Sequence, residues 1–295
     1  MSLLYYIYLK VAATILRALV KLQGRIKSNP DQICRLPSRD APRTIKAHLY
    51  RSALASPTRP RPVLLNFHGS GFVIPAHGTD DAFCRQISQQ TAYSVLDIQY
   101  RLSPEHPFPA AVHDVEDVVK WVLAQPDEYD VSRVAISGFS AGGNMALVAC
   151  SALFPVDTFR AVLAIYPSVA PFIDPATLTA PEAGGWPLPT FLLRFFKKAY
   201  IPAGVDARDL RIAPALADPA RFPRNVLVIT AGYDTLAKEA EKLARKLAEE
   251  DSTRKVVHER MEKCDHAWDK MAKRGTPQWE CKDRAYGLAV EMLQD

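Results

Sequence analysis

A serine lies between glycines in residues 137–143, which read Ser-Gly-Phe-Ser-Ala-Gly-Gly. This segment directly follows the apolar run 134–136 and precedes a helical pattern that starts at Asn144. A G-x-S-x-G motif between a strand and a helix is typical of a sharp turn that exposes a nucleophilic serine, here Ser140. The helix start leaves backbone N–H groups free to face developing negative charge. A glycine-rich turn with an incidental serine is the alternative, and the strand–turn–helix context favours the nucleophile.

A second segment with glycines, His68-Gly69-Ser70-Gly71-Phe72, follows the apolar run 63–67. Small residues there allow consecutive backbone amides to point into a cavity, which is how an oxyanion hole is built for a tetrahedral intermediate. We expect the amides of Ser70, Gly71 and Ala141 to be the donors. A tight turn that needs positive φ angles is the alternative, and the segment alone fits both equally.

A nucleophilic serine needs a base and an acid that orients the base. Asp234 follows the apolar run 226–230, and His266 lies in the loop after the run 255–260. Carboxyl ends of parallel strands meet at one edge of a sheet, where open α/β sheets collect their sites. The chain order Ser140, Asp234, His266 is that of α/β-hydrolases.

Other acids and histidines fit these roles less well. Asp265 is adjacent to His266, and neighbouring side chains in a loop seldom turn toward each other, so Glu239 is the reserve acid. Structural roles are expected for four histidines in plain strand, loop or helix contexts: His48, His77, His113 and His258.

Short apolar runs alternate with longer helical patterns along the chain. Strands are predicted at 44–50, 63–67, 94–98, 134–137, 162–165, 226–230 and 255–260. Helices are predicted at 81–92, 110–123, 141–153, 188–200, 235–250 and 278–294. This alternation predicts an α/β fold with a mostly parallel central sheet, helices on both faces and a helical cap.

The proline-rich segment 168–222 interrupts the alternation and is too long for an ordinary connection. A segment of this kind after a sheet strand more often covers a pocket than folds independently. We therefore expect one α/β domain over residues 1–295, with a cap contributed by about residues 1–43 and 168–222.

The chain begins with a helical pattern in which Lys10, Thr14, Arg17 and Lys21 share one stripe and the rest is apolar. It lacks the basic segment that precedes the apolar core of a secretory signal. We expect this helix either to pack over the protein's own pocket or to lie on a membrane surface. Gly24 is expected to end it.

The composition excludes several classes of protein. Hydrophobic residues make up 48% of the 295 residues, which suffices for a large core and rules out disorder. No charge-free apolar run approaches the length of a membrane span, so a polytopic membrane protein is excluded. The formal net charge of +5 is scattered along the chain, so nucleic acid is not an expected partner.

The five cysteines are far apart and form no C-x-x-C pair: Cys34, Cys84, Cys150, Cys264 and Cys281. Their spacing argues against a zinc site and against a disulfide framework. It is typical of a reducing compartment, and we expect a cytoplasmic protein.

Residues 100–111, Tyr-Arg-Leu-Ser-Pro-Glu-His-Pro-Phe-Pro-Ala-Ala, resemble the Y-R-L-A-P-E-x-x-F-P-A segment of hormone-sensitive-lipase-like esterases. That family's H-G-G-G-F, G-D-S-A-G-G and D-P-L-x-D-E motifs correspond to residues 68–72, 138–143 and 234–239. The resemblance covers about residues 44–295. It implies an α/β-hydrolase fold and carboxylester hydrolysis with neither a cofactor nor a metal. The form of residues 68–72 is most similar to fungal relatives associated with secondary metabolism.

Three positions depart from the family's motifs. Phe139 replaces the acid beside the nucleophile, Ser70 replaces a glycine of the oxyanion segment, and Lys238 replaces the acid four positions after Asp234. None belongs to the expected triad of Ser140, Asp234 and His266. The departures therefore bear on the substrate more than on the chemistry.

We therefore expect the protein to hydrolyse a small to medium, largely apolar ester through an acyl-enzyme. The ester could be an acyl group or a lactone of a secondary metabolite. Two alternatives stay open: a triad-bearing biosynthetic enzyme for acyl transfer, lactonisation or cyclisation, and a catalytically silent receptor. A homodimer and weak membrane-surface contact are further expectations. Candidate substrate-binding side chains, each also compatible with the core, are Phe72, Phe139, Trp186, Phe191, Phe195 and Phe196.

Overall fold

Eight strands form one sheet in the computed structural model, which describes residues 3–22, 24, 26–56 and 59–294. Numbered along the chain, they are β1 (Gln32–Pro37), β2 (Thr44–Tyr50), β3 (Arg61–Phe67), β4 (Ser94–Gln99), β5 (Tyr129–Phe139), β6 (Ala161–Ile165), β7 (Asn225–Ala231) and β8 (Lys255–Met261). Their order across the sheet is β1-β2-β4-β3-β5-β6-β7-β8. Strands β3 to β8 pair in parallel, whereas β2 pairs with β1 and β4 in the antiparallel sense.

Helices cover both faces of this sheet. They are α1 (Leu3–Leu22), α2 (Asp81–Gln90), α3 (Ala110–Leu123), α4 (Ala141–Val148), α5 (Thr190–Tyr200), α6 (Ala237–Glu250), α7 (Trp268–Met271) and α8 (Pro277–Gln294). Alternate strand residues enter opposite cores: Val134 and Ile136 pack with α3, α4 and α6, while Ala135 packs with α2 and α8. Burial on both faces explains why the parallel strands are continuous apolar runs rather than alternating ones.

The α/β architecture predicted from the sequence is confirmed, with the predicted strands in place and most helices within two residues of their expected ends. Helix α4 ends at Val148, and residues 149–153 continue it as one π-helical turn. Two elements were not predicted, α7 and β1.

Strand β1 corrects the expected boundary of the cap. Residues 32–37 pair with β2 at the edge of the sheet, so the segment that could cover a pocket ends before them rather than at residue 43. The strand was missed because it sits at the edge, where only Leu36 is buried, and its sequence Gln-Ile-Cys-Arg-Leu-Pro lacks clean alternation. Residues 1, 2, 23 and 25 of the expected cap lie outside the described part.

Helix α1 lies against the body of the protein through one side. Ala13 is buried against Val73 and Ala199, the latter near the end of α5. Arg17 donates to both carboxylate oxygens of Glu105 at 2.6 and 2.8 Å, and Lys10 also pairs with Glu105. The helix ends as expected before Gly24, which has a φ of +135°. By length and composition alone α1 could cross a membrane.

Candidate active site

Ser140 occupies the turn between β5 and α4. Its φ of 53° and ψ of −113° are unfavourable for a side chain with a Cβ atom, as expected at a strained functional turn. Glycines make this turn possible. A Cβ on Gly142 would lie 1.8 Å from the carbonyl oxygen of Phe67, and one on Gly138 would lie 2.2 Å from the carbonyl carbon of Gly142. The turn at Ser140 therefore depends on close backbone contact between β3, β5 and α4.

The structure brings the three predicted side chains together. Nε2 of His266 lies 2.9 Å from Oγ of Ser140, and Nδ1 of His266 lies 2.7 Å from Oδ2 of Asp234. Asp234 is fully buried, and its other carboxylate oxygen accepts the Leu236 N–H at 3.0 Å. A carboxylate accepts a proton-bearing Nδ1, which leaves Nε2 as the acceptor facing the serine hydroxyl.

Tyr166 supports the imidazole from the side. Its ring packs edge-on against His266, with ring centroids 4.8 Å apart, and its backbone has a φ of 38°. The Tyr166 hydroxyl donates to Asp269 at 2.7 Å. Sequence reasoning did not single out Tyr166, because nothing in a motif marks a ring that orients a histidine from outside the triad.

Residues 68–72 form a braced loop next to Ser140. Gly71 and Phe72 have positive φ angles of 54° and 62°. The Tyr100 hydroxyl donates to the carbonyl of His68 at 2.6 Å and lies 2.6 Å from Oγ of Ser70, which accepts the Phe72 N–H at 2.8 Å. The side chain at position 70 therefore serves the loop, where the family motif has glycine.

The predicted oxyanion residues border the same cavity as the serine. Ser70, Gly71 and Ala141 line it together with Ser140 and His266. The backbone of Ser70 and Gly71 comes from the loop after β3, and that of Ala141 from the first residue of α4. The placement is compatible with amide donors converging on one carbonyl oxygen, and that role stays a prediction.

The cavity measures about 300 Å³ and has mostly apolar walls. Helix α5 supplies one wall with Leu192, Leu193, Phe196 and Tyr200. The segment before α5 adds Ile173, Leu178 and Leu188. Three charged residues also belong to its lining: Lys197 of α5, Glu239 and Lys270. Glu239 forms an ion pair with Lys242 at 2.6 Å, whereas the carboxylate that contacts His266 is that of Asp234.

The structure corrects several of the expected substrate-binding side chains. Phe72 and Phe196 line the cavity. Trp186 and Phe191 do not, since they are 87% and 74% exposed, and Phe195 packs in the small core beneath α1. Residues three or four positions apart share one face of a helix. Leu192 and Phe196 lie on the face of α5 toward the cavity, whereas Phe191 lies on another face, so helical periodicity could have made this distinction.

Phe139 also does not line the cavity and is fully buried behind Ser140. Its ring meets Phe83 edge-on, with ring centroids 5.1 Å apart, and it lies beside Tyr166. The Lys270 ammonium lies 3.6 Å from the Phe139 ring centroid. The apolar side chain that replaces the family's acid is therefore part of the core, since its strand position points away from the pocket.

A buried charge cluster that sequence reasoning missed lies around Lys270. Its ammonium is 2.7 Å from Asp80 and 2.8 Å from Asp269, and both carboxylates are buried. Burial by itself lowers the pKa of Lys270, but the two carboxylates outweigh burial and raise the pKa above its ordinary value. Asp269 is held in turn by the Tyr166 and Tyr286 hydroxyls, each at 2.7 Å.

The remaining candidates have other partners. Asp265 accepts the Trp186 N–H and does not orient His266. His258 lies 3.1 Å from the Thr230 hydroxyl, while the rings of His48 and His77 lie in contact beside Asp97, with centroids 4.0 Å apart and planes tilted by 44°. Lys238 is exposed and donates to Thr179 at 2.7 Å. The structural roles expected for these histidines stay predictions.

A turn serine, a histidine and an acid at the carboxyl edge of a mostly parallel sheet form the arrangement of α/β-hydrolases. The family model for the alpha/beta hydrolase fold matches residues 64–270 of this chain. The chain therefore belongs to that fold family, within its hormone-sensitive-lipase-like esterases, a group of serine hydrolases.

Individual relatives agree with this placement. Carboxylic ester hydrolase LipN of Mycobacterium tuberculosis is 33% identical over 214 residues, which are 69% of this chain and 56% of LipN. Ethyl acetate hydrolase of Pseudomonas putida is 28% identical, over 72% of this chain and 68% of that protein. The match thus spans little more than half of the mycobacterial relative.

Solved structures match over nearly the whole chain. A hyperthermophilic esterase from the archaeon Pyrobaculum calidifontis superposes with a TM-score of 0.75 at 28% identity, covering 98% of this chain and 92% of that one. A thermostable carboxylesterase cloned from a metagenomic library gives a TM-score of 0.78 at 29% identity, covering 96% and 98%.

Proposed function

We propose that this protein is a carboxylester hydrolase that uses Ser140 as nucleophile, His266 as base and Asp234 as the acid that orients the base. The observation that carries the proposal is the pair of contacts at His266, 2.9 Å to the Ser140 hydroxyl and 2.7 Å to Asp234. Both lie within the range for proton transfer from a nucleophile to an oriented base.

The reaction proceeds in two halves. Oγ of Ser140 attacks the ester carbonyl carbon while Nε2 of His266 takes the hydroxyl proton, and the amides of Ser70, Gly71 and Ala141 stabilise the oxyanion. Collapse of the intermediate expels the alcohol, which takes the proton from His266. Water then attacks the acyl-enzyme and gives a proton to Nε2, and collapse of this second intermediate releases the acid as His266 returns the proton to Oγ of Ser140. Asp234 keeps the imidazole in one tautomer throughout and stabilises its cationic form.

The substrate is a small to medium, largely apolar ester. A cavity of about 300 Å³ accommodates a group of modest size, and its wall from α5 and residues 168–201 is mostly apolar, with Lys197 as its one charged residue. Within the single domain, α1 and residues 168–222 act as the cap over this cavity. Esters and lactones of secondary metabolites fit this description.

Hydrolysis of p-nitrophenyl esters from acetate to palmitate tests the proposal. Wild type is expected to prefer short to medium chains, and Ser140→Ala should reduce turnover by about 10⁴- to 10⁶-fold. Ser168→Ala, which alters another serine at the cavity wall, is the matched control and should retain most activity. Near wild-type hydrolysis by Ser140→Ala would sink the proposal.

The same acyl-enzyme can react with a nucleophile other than water, so acyl transfer, lactonisation or cyclisation is the alternative function. It predicts covalent labelling of Ser140 by a phosphonate together with slow hydrolysis that an added alcohol accelerates. A silent receptor on this fold predicts saturable ligand binding without labelling. The contacts of His266 with Ser140 favour a catalytic protein over the receptor.

A membrane surface is proposed as the setting in which the enzyme meets its ester, because α1 is oriented with its apolar side outward. On its inward side, Arg17 and Lys10 form ion pairs with Glu105. Its outward side is a stripe of residues that are 47% to 82% exposed: Leu4, Ile7, Tyr8, Val11, Ile15, Leu19 and Leu22. Exposure of such a face to water is unfavourable, and insertion among lipid headgroups would bury it.

Vesicle flotation tests this contact. Wild type should float with phosphatidylcholine vesicles, more so when phosphatidylserine is added, since exposed Lys21 and Lys27 flank the helix end. Leu19→Glu should lose flotation and keep hydrolysis of a water-soluble ester. Thr14→Glu, on the flank of the stripe, is the control and should still float.

A homodimer is the competing occupant of the α1 face. Sedimentation of wild type as a dimer, abolished by Leu19→Glu, together with no flotation, would replace the membrane by a second copy.

A cytoplasmic location is proposed on the ground that all five cysteines are free thiols, as in a reducing compartment.

A further inference from the structure

His48, His77 and Asp97 form a compact group at the antiparallel side of the sheet. His48 on β2 is the register partner of Asp97 on β4, and His77 comes from the loop between β3 and α2. One ligand atom from each residue lies within 4.8 Å of the others. Nε2 of His77 is 3.4 Å from Oδ2 of Asp97. The hydrolysis mechanism uses none of the three.

These polar atoms are buried without adequate partners. Both ring nitrogens of His48 and Oδ2 of Asp97 have no hydrogen-bond partner among the described residues, although His48 is 4% exposed and Asp97 fully buried. Buried polar atoms are normally paired, since each unpaired one costs on the order of 1–3 kcal/mol. The unpaired atoms of His48 and Asp97 lie in one group with His77, whose Nε2 is 3.0 Å from the Asp97 carbonyl oxygen and donates to it only in the tautomer that carries the Nε2 proton.

The charge of the group indicates a cation. Oδ1 of Asp97 accepts from the Asn66 side chain at 2.9 Å, and the only ion-pair partner of Asp97 in the described part of the chain is His77. The nearby ammonium of Lys270 is already in contact with Asp80 and Asp269. A buried carboxylate is stable when a cation compensates it, and a metal ion would take one ring nitrogen of His48 and Oδ2 of Asp97 as ligands at once.

We propose that His48, His77 and Asp97 bind a divalent transition-metal ion of the zinc type. Two imidazoles and one carboxylate are the donor set that zinc accepts, whereas magnesium and calcium prefer oxygen ligands. Ligand bonds of about 2.0–2.1 Å at tetrahedral angles place donor atoms about 3.4 Å apart, the spacing of His77 and Asp97. Water or a further group completes the coordination.

Such an ion would have a structural role. It would join β2, β4 and the loop that also carries Ser70 and Gly71, so it would fix one end of that loop to the sheet. Metal that binds the folded chain and not the unfolded one raises Tm through mass action. The proposal does not depend on ester hydrolysis, and its readouts are independent of activity.

Titration of the EDTA-treated, dialysed protein with Zn²⁺ and Co²⁺ tests the site. Calorimetry with Zn²⁺ should give one site per chain and an increase in Tm, and bound Co²⁺ should give the intense visible absorption of a four-coordinate centre. His48→Gln and His77→Gln should each weaken Zn²⁺ binding at least about 10-fold. His106→Gln, at an exposed histidine, is the matched control and should bind as wild type.

The stoichiometry of Zn²⁺ binding by wild type and by the three variants decides whether the proposed site exists. Stoichiometric binding lost in both variants and kept in His106→Gln supports the site. No stoichiometric binding by wild type overturns it, and so does binding that survives in both variants. The Co²⁺ spectrum and the Tm of wild type require no substitution, so misfolding of a variant, seen by circular dichroism, leaves the test intact.

Discussion

The ammonium of Lys270 lies 3.6 Å from the centroid of the Phe139 ring, and Phe139 directly precedes Ser140 in the turn between β5 and α4. An aromatic face attracts a cation, and desolvation strengthens that attraction. The same ammonium joins Asp80 from the start of α2 to Asp269 in α7. Phe139 thus replaces the family's acid beside the serine in a core that contains a buried cation with its own carboxylates.

Removal of this cation is expected to destabilise the protein. Lys270→Met leaves the buried carboxylates of Asp80 and Asp269 with neutral donors but no cation, which should lower the free energy of unfolding by about 3–5 kcal/mol. Urea unfolding followed by tryptophan fluorescence measures the change. Lys273→Met, at an exposed lysine nearby, should change it by less than about 0.5 kcal/mol. Equal midpoints for both variants would refute the importance of the cluster.

Tyr100→Phe should loosen the oxyanion loop. The variant loses the hydroxyl that reaches the His68 carbonyl and the Ser70 side chain, both at 2.6 Å. We expect a decrease in kcat of about 10- to 100-fold with a smaller change in KM, because misplaced amide donors weaken transition-state stabilisation first. Steady-state kinetics on p-nitrophenyl butyrate checks this. Tyr93→Phe, in the opposite core, should leave kcat unchanged, and a larger effect there than at Tyr100 would contradict the assignment.

Phe196→Ala should shift the preferred acyl chain toward longer esters. Phe196 lines the cavity and lies against Gly71, where an added Cβ would come within 2.5 Å of its ring. Truncation enlarges the cavity beside the oxyanion loop, so the ratio of kcat/KM for octanoate to that for acetate should rise by about 10-fold. Phe191→Ala, which truncates the exposed neighbour one turn away, should leave the ratio unchanged. A shift in both variants would place the acyl pocket elsewhere.

Helix α1 should be released by acid. Burial alone raises the pKa of Glu105, but hydrogen bonds from Arg17 and Lys10 outweigh it and lower the pKa from 4.5 to about 2. Because the folded-state pKa lies below the usual value, this contribution to docking is complete above about pH 4.5 and is lost as the pH falls toward 2.

Hydrogen exchange of residues 3–22 measures that release. Glu105→Gln should show at pH 7 the loss of protection, relative to intrinsic exchange rates, that is expected of wild type at low pH, while Glu128→Gln, at a partly exposed and weakly paired glutamate, should be protected as wild type. Slow exchange of α1 in Glu105→Gln would show that apolar contacts such as Ala13 with Ala199 suffice to hold the helix.

The sequence predicted the parts of this molecule that local pattern determines. Buried parallel strands such as β6 are continuous apolar runs, and the nucleophile turn is marked by glycines that tolerate no Cβ. The juxtaposition of Ser140, Asp234 and His266 followed from their positions after parallel strands. These inferences require only periodicity and sheet geometry.

What escaped prediction depends on side-chain direction and long-range charge pairing. An aromatic count could not tell that Phe196 faces the cavity while Phe191 faces solvent. Asp80 and Lys270 are 190 positions apart, and no motif links them. The outward face of α1 was likewise undetermined, because a polar stripe can face either water or a partly buried acid such as Glu105.

The most direct test of the central claim is the mass of the protein after treatment with a fluorophosphonate, mapped to a peptide. The account predicts one adduct per chain, on Ser140, formed faster by wild type than by His266→Gln and absent from Ser140→Ala. Ser70→Ala, which removes the hydroxyl of another cavity serine, should still be labelled on Ser140. An unmodified wild type, or an adduct that persists in Ser140→Ala, would contradict the assignment of Ser140 as the nucleophile.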